Sequence, residues 1–353
     1  MRITNSMMIS NTIWNLNKNS ERVAKAQEKM STQSKIQLPS DDPIIATRAI
    51  KYRNYVAQTE QYQKNVGDVI SWQQVSENAL SDLGDVMKQV RELTVQASSD
   101  SLADEDRQQI KLEVAQLKEQ AIQIMNTSYA GRYVFGGFST DEAPYKSQTV
   151  TIGDQEVKLI TFKGQYLNLE GTYSTTISDT DLQNFYTANS GNSYQNLGKE
   201  KINYNIGYGN QITVNVEGQD ITGYQSSGNI FQTFDKLLLG LDGAASYKTV
   251  VTDPAVSVEI GDLELTNILD DIDNDLDRIQ GVRSDLGART SYAEITKDRL
   301  SKDLITYTEL MSNNEDVDIA EVSTELSTAE YVYEASLSIG AKVIGKSLID
   351  FLS

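Results

Sequence analysis

From Leu265 to Met311, apolar residues recur in alternating steps of four and three: Leu265, Leu269, Ile272, Leu276, Ile279, Leu286, Ala293, Leu300, Leu304, Tyr307 and Met311. Only Arg283, Thr290 and Lys297 break the stripe, and no proline interrupts it. This heptad spacing predicts one long amphipathic helix with a narrow apolar seam. At the α-helical rise it spans about 70 Å. A seam of that length is unstable in water by itself, so it requires partners along its whole extent.

Similar stripes occupy both ends of the chain. Residues 1 to 35 carry Ile9, Ile13, Leu16, Val23 and Met30, with Ser20 and Gln27 as polar members of the same seam. Ser10 or Asn11 is placed to cap the start of that helix. Lys35 to Pro43 breaks the pattern. Asp42 then reads as the N-cap of a new helix, with Pro43 in its first turn. From Ile44 to Ser98 the seam is Ala49, Tyr52, Val56, Thr59, Gln63, Val66 and Ile70, continued out of phase by Leu80, Leu83, Met87 and Val90. Ser101 and Asp104 form a capping-box pattern before a shorter helix bearing Ile110, Val114, Leu117, Ala121 and Ile124. At the far end, Asp318 is placed to cap a last helix from Ile319 to Leu352. Its seam is Ile319, Val322, Leu326, Ala329 and Tyr333, then Leu337, Ala341, Ile344, Leu348 and Phe351 after a phase slip.

The pattern changes at Tyr129. Most of the 22 glycines and most of the 18 tyrosines lie between residues 129 and 262. Thr149 to Ile152 and Glu156 to Phe162 flank Gly153-Asp154, which predicts a hairpin. Tyr204 to Val216 alternates like strand around Gly207 to Asn210, and Asn229 to Leu241 suits a short helix. The predicted fold class is α+β: a long antiparallel helical bundle or coiled coil formed by the N- and C-terminal regions, with an inserted β-rich middle domain. Three domains are expected: terminal helices (1–43 and 312–353), a long bundle (44–137 and 263–311) and the insert (138–262). The two amphipathic ends are equally long and are expected to pair antiparallel. The insert differs in composition from the helices and is expected to be dispensable to their closure.

Charge and chemistry narrow the function. With 50 acidic and 31 basic residues the net charge is −19, which argues against nucleic acid and against anionic membrane surfaces. The Met1 to Met30 stretch has no apolar core of signal-peptide length, and no membrane-inserting span is expected. Cysteine and histidine are both absent. Disulfides, thiolate chemistry, His-dependent triads and the usual zinc sites are therefore excluded.

Four stretches carry a resemblance. The Met1-Arg-Ile-Thr opening leads to a helix ending Ala26-Gln-Glu-Lys-Met30, and Leu38-Pro-Ser-Asp-Asp-Pro43 follows it. Asp106-Arg-Gln-Gln-Ile110 continues to Asn126-Thr-Ser-Tyr-Ala-Gly-Arg-Tyr-Val-Phe-Gly-Gly137. The last runs from Asp318-Ile-Ala-Glu321 through Glu330, Ala335 and Lys342 to Ser347-Leu-Ile349. Together they resemble the hook-associated, hook–filament junction proteins of the flagellin family. The resemblance implies a structural subunit rather than an enzyme, with no cofactor. It implies export through the flagellar type III apparatus without a cleaved signal, and a place in the extracellular flagellum. The implied partners are hook-associated protein 1 on the hook side, flagellin on the filament side, copies of itself in a ring, and an export chaperone at the C-terminal region. On this reading Ile9, Ile13, Leu16, Val23, Met30, Leu337, Ile344, Leu348 and Phe351 form the assembly interface.

Two rivals are weighed beside it: a filament flagellin proper, and a secreted enzyme or glycan-binding adhesin with its activity in the insert. Asp270 to Asp277 invites a calcium reading. A calcium loop starting at Asp271 would need Gly at its sixth position and Glu at its twelfth, where this chain has Leu276 and Val282. The acidic run is therefore expected on a solvated helix face. Gly131 to Gly137 lacks the glycine-lysine-hydroxyl order of a phosphate loop and leaves a helix instead of entering one. Its first glycine is expected to end that helix.

Overall fold

The computed structural model describes residues 5–98, 103–167, 169–194, 200–223, 228–252 and 256–352, with residues 5–6 and 343–352 described by backbone alone. Eight α-helices are described: α1 Asn5–Thr32, α2 Pro43–Ala97, α3 Asp104–Met125, α4 Asp179–Asn189, α5 Gly218–Thr222, α6 Ile230–Leu241, α7 Leu265–Glu315 and α8 Ile319–Leu352. The strands are β1 Ser128–Tyr129, β2 Arg132–Tyr133, β3 Tyr145–Ile152, β4 Gln155–Phe162, β5 Gln165–Tyr166, β6 Tyr173–Ser174, β7 Asn203–Gly207, β8 Asn210–Thr213, β9 Ser246–Val251 and β10 Ser257–Asp262. They form four small antiparallel sheets, ordered β1-β2, β3-β4-β5, β10-β9-β6 and β7-β8. The class is α+β, with helical terminal regions and a strand-rich middle.

Packing divides the chain into two compact units, Met1–Gln61 with Arg299–Ser353, and Tyr62–Asp298. Three segments were expected, and residues 138–262 do not separate from the helices that flank them.

The Tyr62–Asp298 unit holds the core. On α7, Ile272, Ile279 and Leu286 are buried one heptad apart. They belong to one cluster with Leu80, Leu83, Met87 and Val90 of α2, and with Val114, Leu117 and Ala121 of α3. The same cluster takes in Tyr145 and Phe162 from the β3–β4 hairpin, and Ile230, Phe231, Phe234, Leu237 and Leu241 from α6. The middle region is thus built into the helical core. The amphipathic α6 buries its apolar face against α3, so the middle region covers helical surface that was expected to close without it. A second, smaller cluster lies within the middle region, from Ile152, Leu159, Tyr166, Leu169, Tyr173, Ile177, Leu182 and Val250.

The polar breaks in the α7 seam have partners. Arg283 donates to Glu77 Oε1 through Nη2 at 2.7 Å and Nε at 3.0 Å. Thr290 Oγ1 lies 3.2 Å from Gln73 Oε1, and Gln73 is fully buried. The acidic run is likewise engaged. Asp271 accepts from Lys236 Nζ at 2.7 Å, and Asp273 from Arg91 Nε at 2.7 Å. Asp275 is fully buried, accepting from Thr233 Oγ1 at 2.8 Å and pairing with Arg278. The expectation of a wholly solvated acidic face is corrected by α6, which covers the Asp271 and Asp275 side of α7. No group of ligands suited to a metal ion occurs among the described residues.

Side-chain caps open three of the helices. Asp42 Oδ1 accepts from the amides of Ile44 at 2.9 Å and Ile45 at 3.1 Å, capping α2 as expected. Asp318 does the same for α8 through Ala320 at 2.9 Å. Asn229 caps α6 through the amide of Phe231 at 2.9 Å. Ser10 and Asn11 lie inside α1, which is already helical at Asn5, so neither caps it. The Ser101 capping box falls outside the described residues. Gly131 does not end α3, which stops at Met125; with φ of +79° it turns the β1–β2 hairpin instead.

Two predictions follow from the core. Phe234→Ala should lower unfolding stability by about 3–5 kcal/mol, the usual loss for emptying a buried aromatic site. Urea unfolding measures this, and a loss near zero would mean that α6 is not part of a joint core. Burial pushes the Asp275 carboxyl up to about 6 from the ordinary 3.8. Between those values the folded chain holds a proton that the unfolded chain releases, so this group's contribution to stability falls as pH rises through the window. Asp275→Asn should therefore flatten the pH dependence, gaining on the native chain by up to about 3 kcal/mol between pH ~4 and pH ~7. Urea midpoints at the two pH values test it, and parallel profiles would rule it out.

Candidate assembly interface

The Met1–Gln61 with Arg299–Ser353 unit is built on a different balance. Neither hydrophobic cluster reaches into it. Among its described residues the buried apolar side chains are Ala26, Ala46, Ala49, Leu300 and Val322, mostly small. One tie between its helices is polar. Arg53 Nε donates to both carboxylate oxygens of Glu315 at 3.0 and 3.1 Å, with Glu315 itself buried. Beside it, Lys35 N donates to Glu315 O at 2.7 Å and Val317 N to Gln33 O at 3.1 Å, so the two chain breaks between helices meet backbone to backbone. Asp41 accepts from the amides of Leu38 and Gln37, which hold its carboxyl below the usual carboxylate range.

Helices α1 and α8 lie antiparallel, the pairing expected of the two ends. The half-buried or buried positions of α1 include Ile9, Thr12, Leu16, Asn19, Val23 and Ala26; on α8 they include Val322, Leu326, Ala329, Tyr333, Ser336 and Gly340. Both sets step by three and four, so the seam is a heptad one. Asn19 Nδ2 donates to Ser336 Oγ at 2.6 Å, and Lys29 pairs with Glu325 at 3.3 Å. A methyl group placed on buried Gly340 would sit 3.5 Å from Thr12 Cγ2.

Of the residues expected at the interface, Ile9, Leu16 and Val23 face into this intrachain seam, half-buried. Ile13, Met30 and Leu337 point outward and are exposed. The side chains of Ile344, Leu348 and Phe351 lie outside those described. Sequence reasoning passed over several outward residues: Met7, Met8 and Trp14 on α1, and Tyr331, Val332 and Ile339 on α8. Trp14 is 62% exposed and Tyr331 74%. Further along the same unit Ile44, Ile50, Ile305 and Ile319 are exposed as well. The signal was available, because a helix with large apolar residues on two sides needs two partners. No helix among the described residues is long and apolar enough to cross a membrane.

Comparison with known proteins agrees with this arrangement. Residues 3–140 match the bacterial flagellin N-terminal helical region and residues 269–352 the bacterial flagellin C-terminal helical region, together well over half of the chain. The flagellar hook-associated protein 3 of Salmonella typhimurium is 26% identical over 352 residues, covering 99% of this chain and 98% of that protein. Its Escherichia coli namesake is 26% identical over 321 residues, covering 90% and 89%. A flagellin of Clostridium tyrobutyricum is 25% identical over 371 residues, covering 93% and 94%. A solved structure described as a flagellar hook-associated protein from Vibrio parahaemolyticus shares the fold, with a TM-score of 0.55 at 15% identity over 78% of this chain and 100% of that one. The chain belongs to the flagellin family and is a structural component of the bacterial flagellum.

Proposed function

We propose that this chain is the adaptor at the hook–filament junction, assembling through the outward faces of α1 and α8. The similarity to two hook-associated protein 3 relatives, nearly end to end in both chains, carries the reading. The terminal unit supports it: beyond the seam that α1 and α8 bury between themselves, Ile13, Trp14, Met30, Tyr331 and Leu337 remain exposed on the outward faces. Each such side chain would contribute roughly 1.5–3 kcal/mol on burial between subunits. Hook-associated protein 1 would lie on the hook side and flagellin on the filament side, with further copies completing a ring. Export through the type III apparatus, with a chaperone on the C-terminal region, belongs to the same reading. The proposed interface comprises Ile13, Met30 and Leu337 with Trp14 and Tyr331 from the structure, and Ile344, Leu348 and Phe351 from the sequence pattern; Ile9, Leu16 and Val23 hold α1 against α8 behind them.

Replacing two outward residues tests this. Ile13→Asp with Leu337→Asp should change the stability of the soluble chain by no more than about 1 kcal/mol, since exposed substitutions rarely cost more than about 0.5 kcal/mol each. In a strain lacking its own junction protein, the native chain should restore motility, and the double variant should be secreted yet leave the cells non-motile. Normal motility with the double variant would take these faces out of assembly. Polymerisation separates an adaptor from a filament protein: the purified chain should not extend into long filaments by itself, and growth of such filaments would make it a flagellin proper.

A further inference from the structure

The couple of α1 and α8 carries opposite charges on its two flanks. Beside the seam lies an open groove of about 680 Å³, with Arg22, Lys25 and Lys29 of α1 on one wall and Thr328, Ala329 and Val332 of α8 on the other. Lys18 continues the basic row, which steps by four, three and four along α1. Two acids also line the groove, Glu321 and Glu325, and Lys29 already holds Glu325 at 3.3 Å. Residues two apart lie about 160° round a helix, so with Thr328 and Val332 in the groove, Glu330 and Glu334 stand on the other flank of α8, and both are exposed. Leu337, 44% exposed, continues that flank three residues on. Among the described residues no ion pair engages Arg22, Lys25, Glu330 or Glu334; the Asp41 carboxyl feels the charge of Lys25 without pairing with it. Each row sets like charges three or four residues apart, which is mildly unfavourable on a helix alone.

We propose that this groove receives the Glu330, Glu334 and Leu337 flank of α8 from a second copy of the chain, so that copies stand side by side in a head-to-tail contact. The inference rests on the reading of the chain as one subunit of a ring and names the surfaces that meet there. A chain of net charge −19 repels its own copies, so their contact needs local complementarity, which a basic row facing an acidic one supplies. The two rows also match in height. Asn19 lies against Ser336 and Lys29 against Glu325. Arg22 and Lys25 fall between Asn19 and Lys29, and Glu330 and Glu334 between Glu325 and Ser336. Parallel copies set side by side therefore bring cation opposite carboxylate with no axial shift. Because groove and acidic row occupy opposite flanks, each contact leaves one surface of each kind open for the next copy, and such a contact closes into a ring when the rotation between neighbours allows. Thr328, Ala329 and Val332 offer methyl groups to the incoming Leu337. Charge matching of this kind selects the partner and its orientation more than it adds affinity.

The absence of cysteine from the chain permits a direct test. A chain with Lys25→Cys and Glu330→Cys is produced in a strain lacking its own junction protein, and the isolated flagella are oxidised. Disulfide-linked dimers, trimers and larger multimers of the chain should form, while either single variant stays monomeric. The two cysteines lie on opposite flanks of one couple, so the dilute soluble chain should form no link. Absence of multimers from flagella that contain the two-cysteine chain overturns the proposal, and so do dimers of a single variant, because the contact would then join like surfaces. Charge gives a second readout. Arg22→Glu with Lys25→Glu should leave secretion and melting temperature near native but abolish motility. Adding Glu330→Lys with Glu334→Lys should restore the swarm diameter to at least about half of native, since the rows then match again between copies. Motility that survives the first pair, or that the second pair fails to restore, also overturns it. Immunolabelling of the same flagella separates the two readings. Cross-linked chain along the filament contradicts the junction reading alone, whereas chain at the junction without multimers contradicts this contact alone.

Discussion

An apolar stripe along a helix must be covered along its length, and the architecture of this chain is an answer to that constraint. Within Tyr62–Asp298 the core positions of the α7 seam are covered. Ile272, Ile279 and Leu286 of α7 are buried by α2 and by the elements that the middle region lays over both. Within the terminal unit the cover is incomplete. There the intrachain seam mixes small or polar residues such as Thr12, Asn19, Ala26, Ala329, Ser336 and Gly340 with half-buried Ile9, Leu16, Val23 and Leu326, and further bulky side chains, Trp14 and Tyr331 among them, remain in water. One unit is stabilised mainly by its own core. The other retains apolar surface that only a further surface can remove from solvent.

Polar residues on the apolar seams of the Tyr62–Asp298 unit perform a second task. Gln73 with Thr290, Glu77 with Arg283 and Thr233 with Asp275 are matched donors and acceptors, each joining two elements. Hydrophobic burial is non-directional and tolerates sliding, whereas a buried donor accepts few positions. Asp235 shows the cost of such matching. It is held by Lys118 at 2.5 Å, yet burial raises its carboxyl above the usual range because desolvation outweighs the cation beside it.

The long helices were legible in the sequence because period and capping agreed. Asp42 and Asp318 cap where the pattern begins, and Leu265 and Ile319 open their helices where the spacing placed them. The α1 seam was less legible. Ile9, Leu16 and Val23 fit two stripes at once, one continued by Ile13 and Met30 and the other by Thr12, Asn19 and Ala26. Hydrophobicity selects the first, but α8 packs on the second, since its Gly340 and Ser336 suit a threonine and an asparagine. In the middle region the β3–β4 hairpin and α6 carried clear turn and cap signals. Helix α4 and the β9–β10 pair did not, because their apolar residues answer to a small core assembled from distant segments. The acidic run misled for a related reason: its burial depends on α6, some forty residues away in the chain, as the Thr233–Asp275 bond shows.

The antiparallel course of α1 and α8 also sets how this part of the molecule responds to force. Asn5 begins one helix and Leu352 ends the other, and the pairing of Thr12 with Gly340 brings those two ends to the same extremity of the couple. Tension that draws the two ends apart loads the contacts one heptad after another, as in a zipper, and each gives way at low force. Tension along the common axis, drawing one helix lengthwise past the other, loads every seam contact together in shear. The same few small contacts are then compliant to peeling and stiff to sliding, so the couple is mechanically anisotropic although its sequence contains no special residue for the purpose.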